Sequence, residues 1–340
     1  MALKEKGVGQ FSELLHGGPV DAVEIARVRE VILFENPALS ERLVRFWALL
    51  TLASAIATFG LYGDSAAAVI GAMIVAPLML PIMGLAFAIS IGDQRAIRSS
   101  LLVGVGGIAT AIGVGYLIAL LMPSSFDPTN VGQIMVRTSP RLIDLLAALA
   151  TGLAGAFAIG RRDVSDTLPG VAIAISLVPP LANVGILLGA DRPELALGSL
   201  LLFVTNYVAI LLTGSFVFGL MGFPAAALSG ATPRSRQLAI TTVLLMIAII
   251  AVPLGLASRR VIRDNLVESR VTEAAKSWTA GTGYRLMSVT TRDEKVNVLV
   301  TGTGAIPAPE MIESQLNGQI YGMRVRVTAI PAQIVEFGTK

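Results

Sequence analysis

G-A-M-I-V-A-P-L-M-L-P-I-M-G, Gly71 to Gly84, and G-V-A-I-A-I-S-L-V-P-P-L-A-N-V-G, Gly170 to Gly185, are two versions of one theme. Each is an apolar run interrupted by two prolines. Outward from these cores, the stretch from Arg42 to about Met122 matches the stretch from Arg141 to about Met221. Each copy reads as an apolar span, a short polar turn, the proline-broken span, a turn containing Asp93 or Asp191, and a third span. Three is an odd number, so the second copy enters a membrane the other way up. Inverted repeats with broken helices near the midplane are characteristic of secondary transporters.

Composition agrees with a membrane protein. Hydrophobic residues make up 54% of the 340, and charged residues only 14%, against roughly 25% charged in ordinary soluble domains. The net charge of +3 is spread over loops, which argues against nucleic acid as a partner. The chain has no cysteine and one histidine, His16. A thiolate or histidine metal site is therefore not expected, and no cofactor is implied. No signal peptide is visible in the first forty residues, which carry charges of both signs.

A spanning helix needs about twenty apolar residues. Seven stretches qualify: Leu43 to Tyr62, Ala66 to Ile91, Ile97 to Met122, Leu142 to Gly160, Leu168 to Gly189, Leu195 to Met221 and Leu238 to Leu256. Ser40 reads as the N-cap of the first. The organisation is a leader over 1–40 with an amphipathic helix between Val20 and Phe34, one repeat over 41–122, a second over 123–222, a seventh span over 237–257, and a soluble domain over 258–340. Within the last, a helix, two strands, a helix (Pro309 to Leu316) and a strand (Met323 to Ile330) follow in order. The G-T-G run, Gly302 to Gly304, is no phosphate loop, because no Lys-Ser or Lys-Thr follows. The expected fold is thus an all-α polytopic membrane protein with an inverted 3+3 repeat, one extra span and a small C-terminal α/β domain.

Loop charges favour a cytoplasmic N-terminus in the cell (inner) membrane. Lys4, Lys6, Arg27, Arg29, Arg42 and Arg45 precede or begin the first span, and Arg95, Arg98, Arg161, Arg162, Arg234 and Arg236 fall in loops on the same side. Arg259, Arg260 and Arg263 break the pattern, because seven spans put them outside. Either the C-terminal domain is exported, or one proline-broken segment re-enters without crossing.

Pro77 and Pro81, and Pro179 and Pro180, fall mid-span. A proline has no N–H and clashes with the preceding turn, so a break exposes carbonyls on one side and N–H groups on the other. Such groups survive in lipid only when buried or lining a watery cavity. The bland alternative is a pair of structural kinks. Asp144 shares one helix face with Ala148, Gly152, Ala156 and Gly160, a small-residue stripe suited to close helix contact. It is either a coupling carboxylate or a helix-start acid paired with Arg141. Ser176, Asn183 and Asn206 offer ligands to a polar solute or ion, or tie helices together at ~0.6 kcal/mol each. Enzyme chemistry finds no histidine–nucleophile pair, no paired intramembrane aspartates and no Walker loop.

The segments R-T-S-P-R-L-I-D-L-L-A-A-L-A-T-G (Arg137 to Gly152), V-I-G-A-M-I-V-A-P-L-M-L-P-I-M-G (Val69 to Gly84) and L-P-G-V-A-I-A-I-S-L-V-P-P-L-A-N-V-G (Leu168 to Gly185) resemble the motifs of the bacterial and archaeal membrane family called domain of unknown function 389. The resemblance covers roughly Leu43 to Met221. It implies that Pro77, Pro81, Asp144, Pro179, Pro180 and Asn183 match signature positions, while lending no activity. The expectation is a transporter or channel for a small solute or ion, surrounded by membrane lipid and forming a homo-oligomer. The alternative is a membrane-anchored sensor or scaffold whose C-terminal domain binds a ligand or partner.

Overall fold

The structure, a computed structural model, describes residues 17–18, 20–35, 39–123, 126–161, 177–227, 263–292, 295–304, 306, 308–316 and 320–331. The chain divides into two units, Met1–Ala257 and Ser258–Lys340.

In the first unit, a short helix α1 (Ala22–Ile32) is capped by Asp21, whose carboxylate accepts from the Glu24 N–H at 2.9 Å. Next come α2 (Leu39–Tyr62), α3 (Ala66–Val75), α4 (Met79–Ile91) and α5 (Gln94–Leu121). A single turn, α6 (Gly132–Met135), leads into α7 (Leu142–Gly160). Then follow α8 (Val178–Gly189), α9 (Pro193–Leu220) and α10 (Phe223–Ala227). Among the described residues, four helices, α2, α5, α7 and α9, are long and apolar enough to cross a membrane, and α3 with α4 passes the same test as a pair bent by 48°. These apolar helices fit a membrane protein. Ser40 is not a cap: α2 already begins at Leu39. The expected seventh span, Leu238 to Leu256, lies outside the described residues, as does the first part of the fifth.

The boundaries have local causes. Ser65 caps α3 by accepting from the Ala68 N–H. Asp93 caps α5 by accepting from Arg95 and Ala96. α4 ends at Gly92, whose φ of 71° is the left-handed conformation that glycine adopts without a Cβ penalty. α9 opens on Pro193, where a missing N–H costs nothing.

The long helices are only partly buried, but the two short ones are nearly engulfed. Every residue of α4 except Leu80 and Ile91 is buried, and so is every residue of α8 except Leu188 and Gly189. Lipid-embedded helices gain little from hydrophobic association, so close backbone approach through small residues holds them together. Glycines supply that approach here. Gly115 on α5 faces the backbone of Ala182, and Gly185 on α8 faces the backbone of Gly115. Gly152 on α7 lies against the backbone of Ile210 on α9, and Gly155 against Met79 and Met83 on α4.

The second unit has its own core. Residues 263–279 form the helix α11, followed by β1 (Tyr284–Arg292), β2 (Lys295–Gly302), α12 (Pro309–Leu316) and β3 (Arg324–Pro331). The sheet order is β1-β2-β3, with β1 antiparallel and β3 parallel to β2. Val296, Val298 and Val300 of β2 share a core with Val267, Val271 and Trp278 of α11 and Ile312 and Leu316 of α12. The period-two pattern of the last strand holds: Met323 is buried, Val325 and Val327 are half-buried, and Arg324, Arg326 and Thr328 are exposed.

Candidate functional site

The contacts along α5 locate the two buried helices. Gly84 lies against Ser100, Pro81 near Gly104, and Leu78 against Gly107. On the other half of α5, Ala182 meets Gly115, Gly185 meets Ile112 and Tyr116, and Gly189 meets Ala119. Both short helices therefore begin near the middle of α5 and run away from it in opposite directions. α9 tells the same story. Asn183 of α8 bonds Ser199 of α9, whereas Ser215 of α9 donates to the Ala86 carbonyl of α4 at 3.2 Å, and Phe218 stacks edge-on with Phe87 at 5.3 Å. The first turns of α4 and α8 thus face each other across the mid-length of α5 and α9.

The prolines define these starts. Pro81 is the third residue of α4, and Pro179 and Pro180 are the second and third of α8. In the first copy this is the expected broken helix, with α3 and α4 meeting at the break around Pro77; the residues immediately before Leu177 in the second copy lie outside the described residues. N–H groups of a first turn have no intrahelical acceptor, so a proline there breaks no bond. Pro77 occupies the link between α3 and α4, where its carbonyl accepts from the Leu80 N–H at 3.1 Å. Neither α4 nor α8 has a side-chain cap. Among the described residues, the N–H groups of Leu78, Met79, Leu177 and Val178 have no backbone acceptor outside their own helices.

Asn206 and Tyr207 lie midway along α9. Asn206 is 2% exposed, and its carboxamide oxygen has no hydrogen-bond partner. The Tyr207 hydroxyl reaches Gly104, the glycine that also borders Pro81. Tyr207 thus reaches the region where α4 starts, and Asn206 precedes it at the mid-length of α9. Ser176 lies outside the described residues.

Asn183 is used differently. It is fully buried, and its NH2 group donates to the Ile134 carbonyl at 3.0 Å and to the Ser199 hydroxyl at 2.8 Å. It therefore fastens α6 and α9 to α8, while its own carbonyl oxygen is left without a partner. Asp144 sits in the first turn of α7. Its carboxylate accepts from the Arg141 backbone N–H and guanidinium, each at 3.1 Å. Of its two expected readings, the geometry displays the helix-start acid paired with Arg141. Arg137 lies close by. Burial lowers its pKa, Asp144 opposes that shift and Arg141 reinforces it. Arg137 donates to the Gln133 backbone and side chain, and its Nε is buried without a partner.

The leader does more than its composition suggests. Arg27 donates to the carbonyls of Ile159 and Gly160, at 3.2 and 2.9 Å, and so caps the end of α7. Arg29 bridges Glu35 and the α5 cap Asp93, at 2.6 and 2.7 Å. These long-range bonds leave no periodic trace in sequence.

Among the described residues, no cluster of His, Cys, Asp or Glu is arranged to hold a metal. The first unit is a bundle of apolar helices that fits a membrane protein, built around two short buried helices that start near the middle of α5. A family model described as Domain of unknown function (DUF389) matches residues 73–212, a stretch containing all the candidate residues from Pro77 to Asn206. The motif resemblance to that family thus holds over this part of the chain. Over 174 residues, 51% of the chain, the sequence is 32% identical to the uncharacterized protein MJ0678 of Methanocaldococcus jannaschii. The chain spans about half, 53%, of that relative's length. No solved structure matches.

Proposed function

We propose that the first unit is a transporter or channel for a small solute or ion, embedded as a multi-pass protein in the cell membrane with its N-terminus in the cytoplasm. The observation that carries this reading is the confrontation of α4 and α8, two buried half-length helices starting opposite each other at the middle of α5 and α9. Discontinuous helices of this kind recur at midplane substrate sites, where irregular backbone lines a cavity. Their opposite directions support an inverted repeat. So does the exchange of partners: α4 from the first copy lies on α9 of the second, and α8 from the second lies on α5 of the first. Pro77, Pro81, Pro179 and Pro180 shape the path, and Asn206 with Tyr207 supplies its polar lining. Asn183 and Asp144 hold its walls. The reading is non-enzymatic, and the glycine-rich faces suit assembly with further copies of the chain.

The absence of cysteine makes a direct test available. Leu78→Cys and Val178→Cys are introduced singly into the reconstituted protein. Membrane-impermeant thiol reagents of either charge are then added from each side. Labelling of both positions is the expected result. Failure of every reagent from both sides would mean dry, packed helix ends, and the transport reading would fall.

A second reading has its own observation. In the C-terminal unit, Arg285, Lys295, Arg324 and Arg326 are exposed, and strand register puts them all on the sheet face opposite Val296, Val298 and Val300. A domain with one cationic open face suits an anionic partner, as a sensor or scaffold requires. Retention of an anionic partner with the membrane path unlabelled would favour this reading.

A further inference from the structure

We infer that α1 and α6 are the two gates of the pathway, equivalent lids of the two repeats that close it at opposite ends. This rests on the pathway reading above and adds the parts that open and shut it. The repeats match position by position. α5 and α9 are each 28 residues long. Pro81 and Pro180 are each the third residue of their short helix, and Gly84 and Asn183 each the sixth. Ser100 and Ser199 are each the seventh residue of the long helix that follows.

The matched residues meet matched partners. A Cβ on Gly84 would lie 2.9 Å from the Ser100 hydroxyl and 3.0 Å from the Ile32 carbonyl oxygen at the end of α1. The Asn183 carboxamide donates to the Ser199 hydroxyl at 2.8 Å and to the Ile134 carbonyl in α6 at 3.0 Å. One residue before each serine the likeness continues. The Ser99 hydroxyl donates to the Phe34 carbonyl beyond α1 at 3.2 Å, and Gly198 lies against the Thr138 carbonyl beyond α6. α1 and α6 therefore hold the same place in the two copies. Each is a short helix ahead of the first span, laid against the buried short helix of its own copy.

The two lids lie at opposite ends. α4 runs from the middle of α5 to the turn at Gly92, where Arg29 of α1 is paired with Asp93. α8 runs the other way, and α6 lies against it beside the first turns of α9. A solute that leaves the middle of α5 along either short helix meets a lid. Alternating access moves one repeat against the other, so equivalent lids at opposite ends open in turn. The lids are tied differently, as the open and closing ends of such a pair must be. Asn183 bonds α6 to α8, whereas Gly84 has no side chain to bond α1 to α4. Ser100, the counterpart of Ser199, keeps a buried hydroxyl without a partner. α1 is held instead by Arg27 on the α7 carbonyls and by Arg29 on Asp93. α6 is held also by Asp64, which accepts from the Gln133 N–H at 2.7 Å. The ties at Asp93 and Asp64 are polar and reach solvent, where water replaces a hydrogen bond at little net cost.

The test uses the full chain in liposomes, with Leu78→Cys or Val178→Cys as the reporter, labelled from each side by a membrane-impermeant thiol reagent. Phe34→Cys with Ser99→Cys ties α1 down when oxidised to a disulfide. Asp64→Cys with Gln133→Cys does the same for α6. The reduced form of each variant is its own control, and each tie tests its own end, so one pair suffices should the other fold poorly. The expected result is that the α1 tie slows labelling from the leader's side at least 10-fold and leaves the other side unchanged. The α6 tie does the reverse. A tie that leaves its own side unchanged, or slows both sides alike, overturns the gate assignment and leaves the pathway standing. No labelling of either reporter in any reduced form overturns the pathway, and the gates with it.

Discussion

Gly185 and Gly115 meet backbone to backbone: a Cβ at Gly185 would stand 2.8 Å from the Gly115 carbonyl carbon, closer than real Cβ atoms come. The crossing of α8 over α5 thus depends on a missing methyl group. We predict that Gly185→Ala destabilises the protein by about 1–3 kcal/mol, as overpacking does. Gly71→Ala is the control, since a Cβ there meets nothing within 4 Å. Relief of helical glycine there is worth up to about 1 kcal/mol. Thermal denaturation in detergent should move the two variants in opposite directions; equal losses would refute the steric account.

Asn183 should behave as a fastener. Asn183→Leu removes the donations to Ile134 and Ser199, a loss of about 1–3 kcal/mol if the Ile134 carbonyl stays unsatisfied. The neighbouring segment should loosen first. Limited proteolysis or labelling of a cysteine at Gln133 will read that, and an unchanged rate would show that α6 is held by other contacts.

The attachment of α1 should weaken in acid. Burial opposes the charge on Asp93, but the Arg29 guanidinium and the backbone N–H groups of Ala96 and Arg95 outweigh it and hold its carboxyl below the usual range. A carboxyl depressed in the folded state contributes stability above its unfolded pKa of about 3.9, which is lost as pH falls through the lower folded value. A fluorophore on α1, at Val23→Cys, should therefore report undocking below about pH 4. Asp93→Asn should show that undocked signal at neutral pH and lose the acid transition. An acid transition that persists in Asp93→Asn would assign it to another group.

Asp144→Asn should leave stability nearly unchanged. Its partner Arg141 has a half-exposed side chain, and exposed ion pairs contribute about 1 kcal/mol or less. Asparagine can still accept from the Arg141 N–H. Chemical denaturation will measure the difference. A loss well above 1 kcal/mol would mean that Asp144 also neutralises Arg137.

How much of this was readable follows the range of each interaction. α7 coincides with its apolar run, Leu142–Gly160, because Arg141 and Arg161 bound that run on both sides. α12 and the strands were legible from periodicity, which is local. The break between α3 and α4 was legible as prolines, but the position of Pro81, Pro179 and Pro180 in first turns was not, since a proline ends one helix and starts another equally well. Least legible were Asn183 bonding Ile134, Arg27 capping α7 and Arg29 gripping Asp93. Their partners are far away in sequence, and an arginine in a polar leader looks solvated. Asn206 was visible as a polar residue in an apolar span. Its company was not.

The first-turn prolines carry a consequence opposite to that of a kink. A kink is a fault that any helix-forming residue would mend. Pro179 and Pro180 instead act by omission. They stand where an ordinary residue would bring an N–H into the interior, with no acceptor in its own helix to receive it. Replacing one with alanine would therefore introduce a polar group instead of repairing a helix. The interior is edited by subtraction, and the N–H groups kept at Leu78, Met79, Leu177 and Val178 have no backbone acceptor outside their own helices among the described residues.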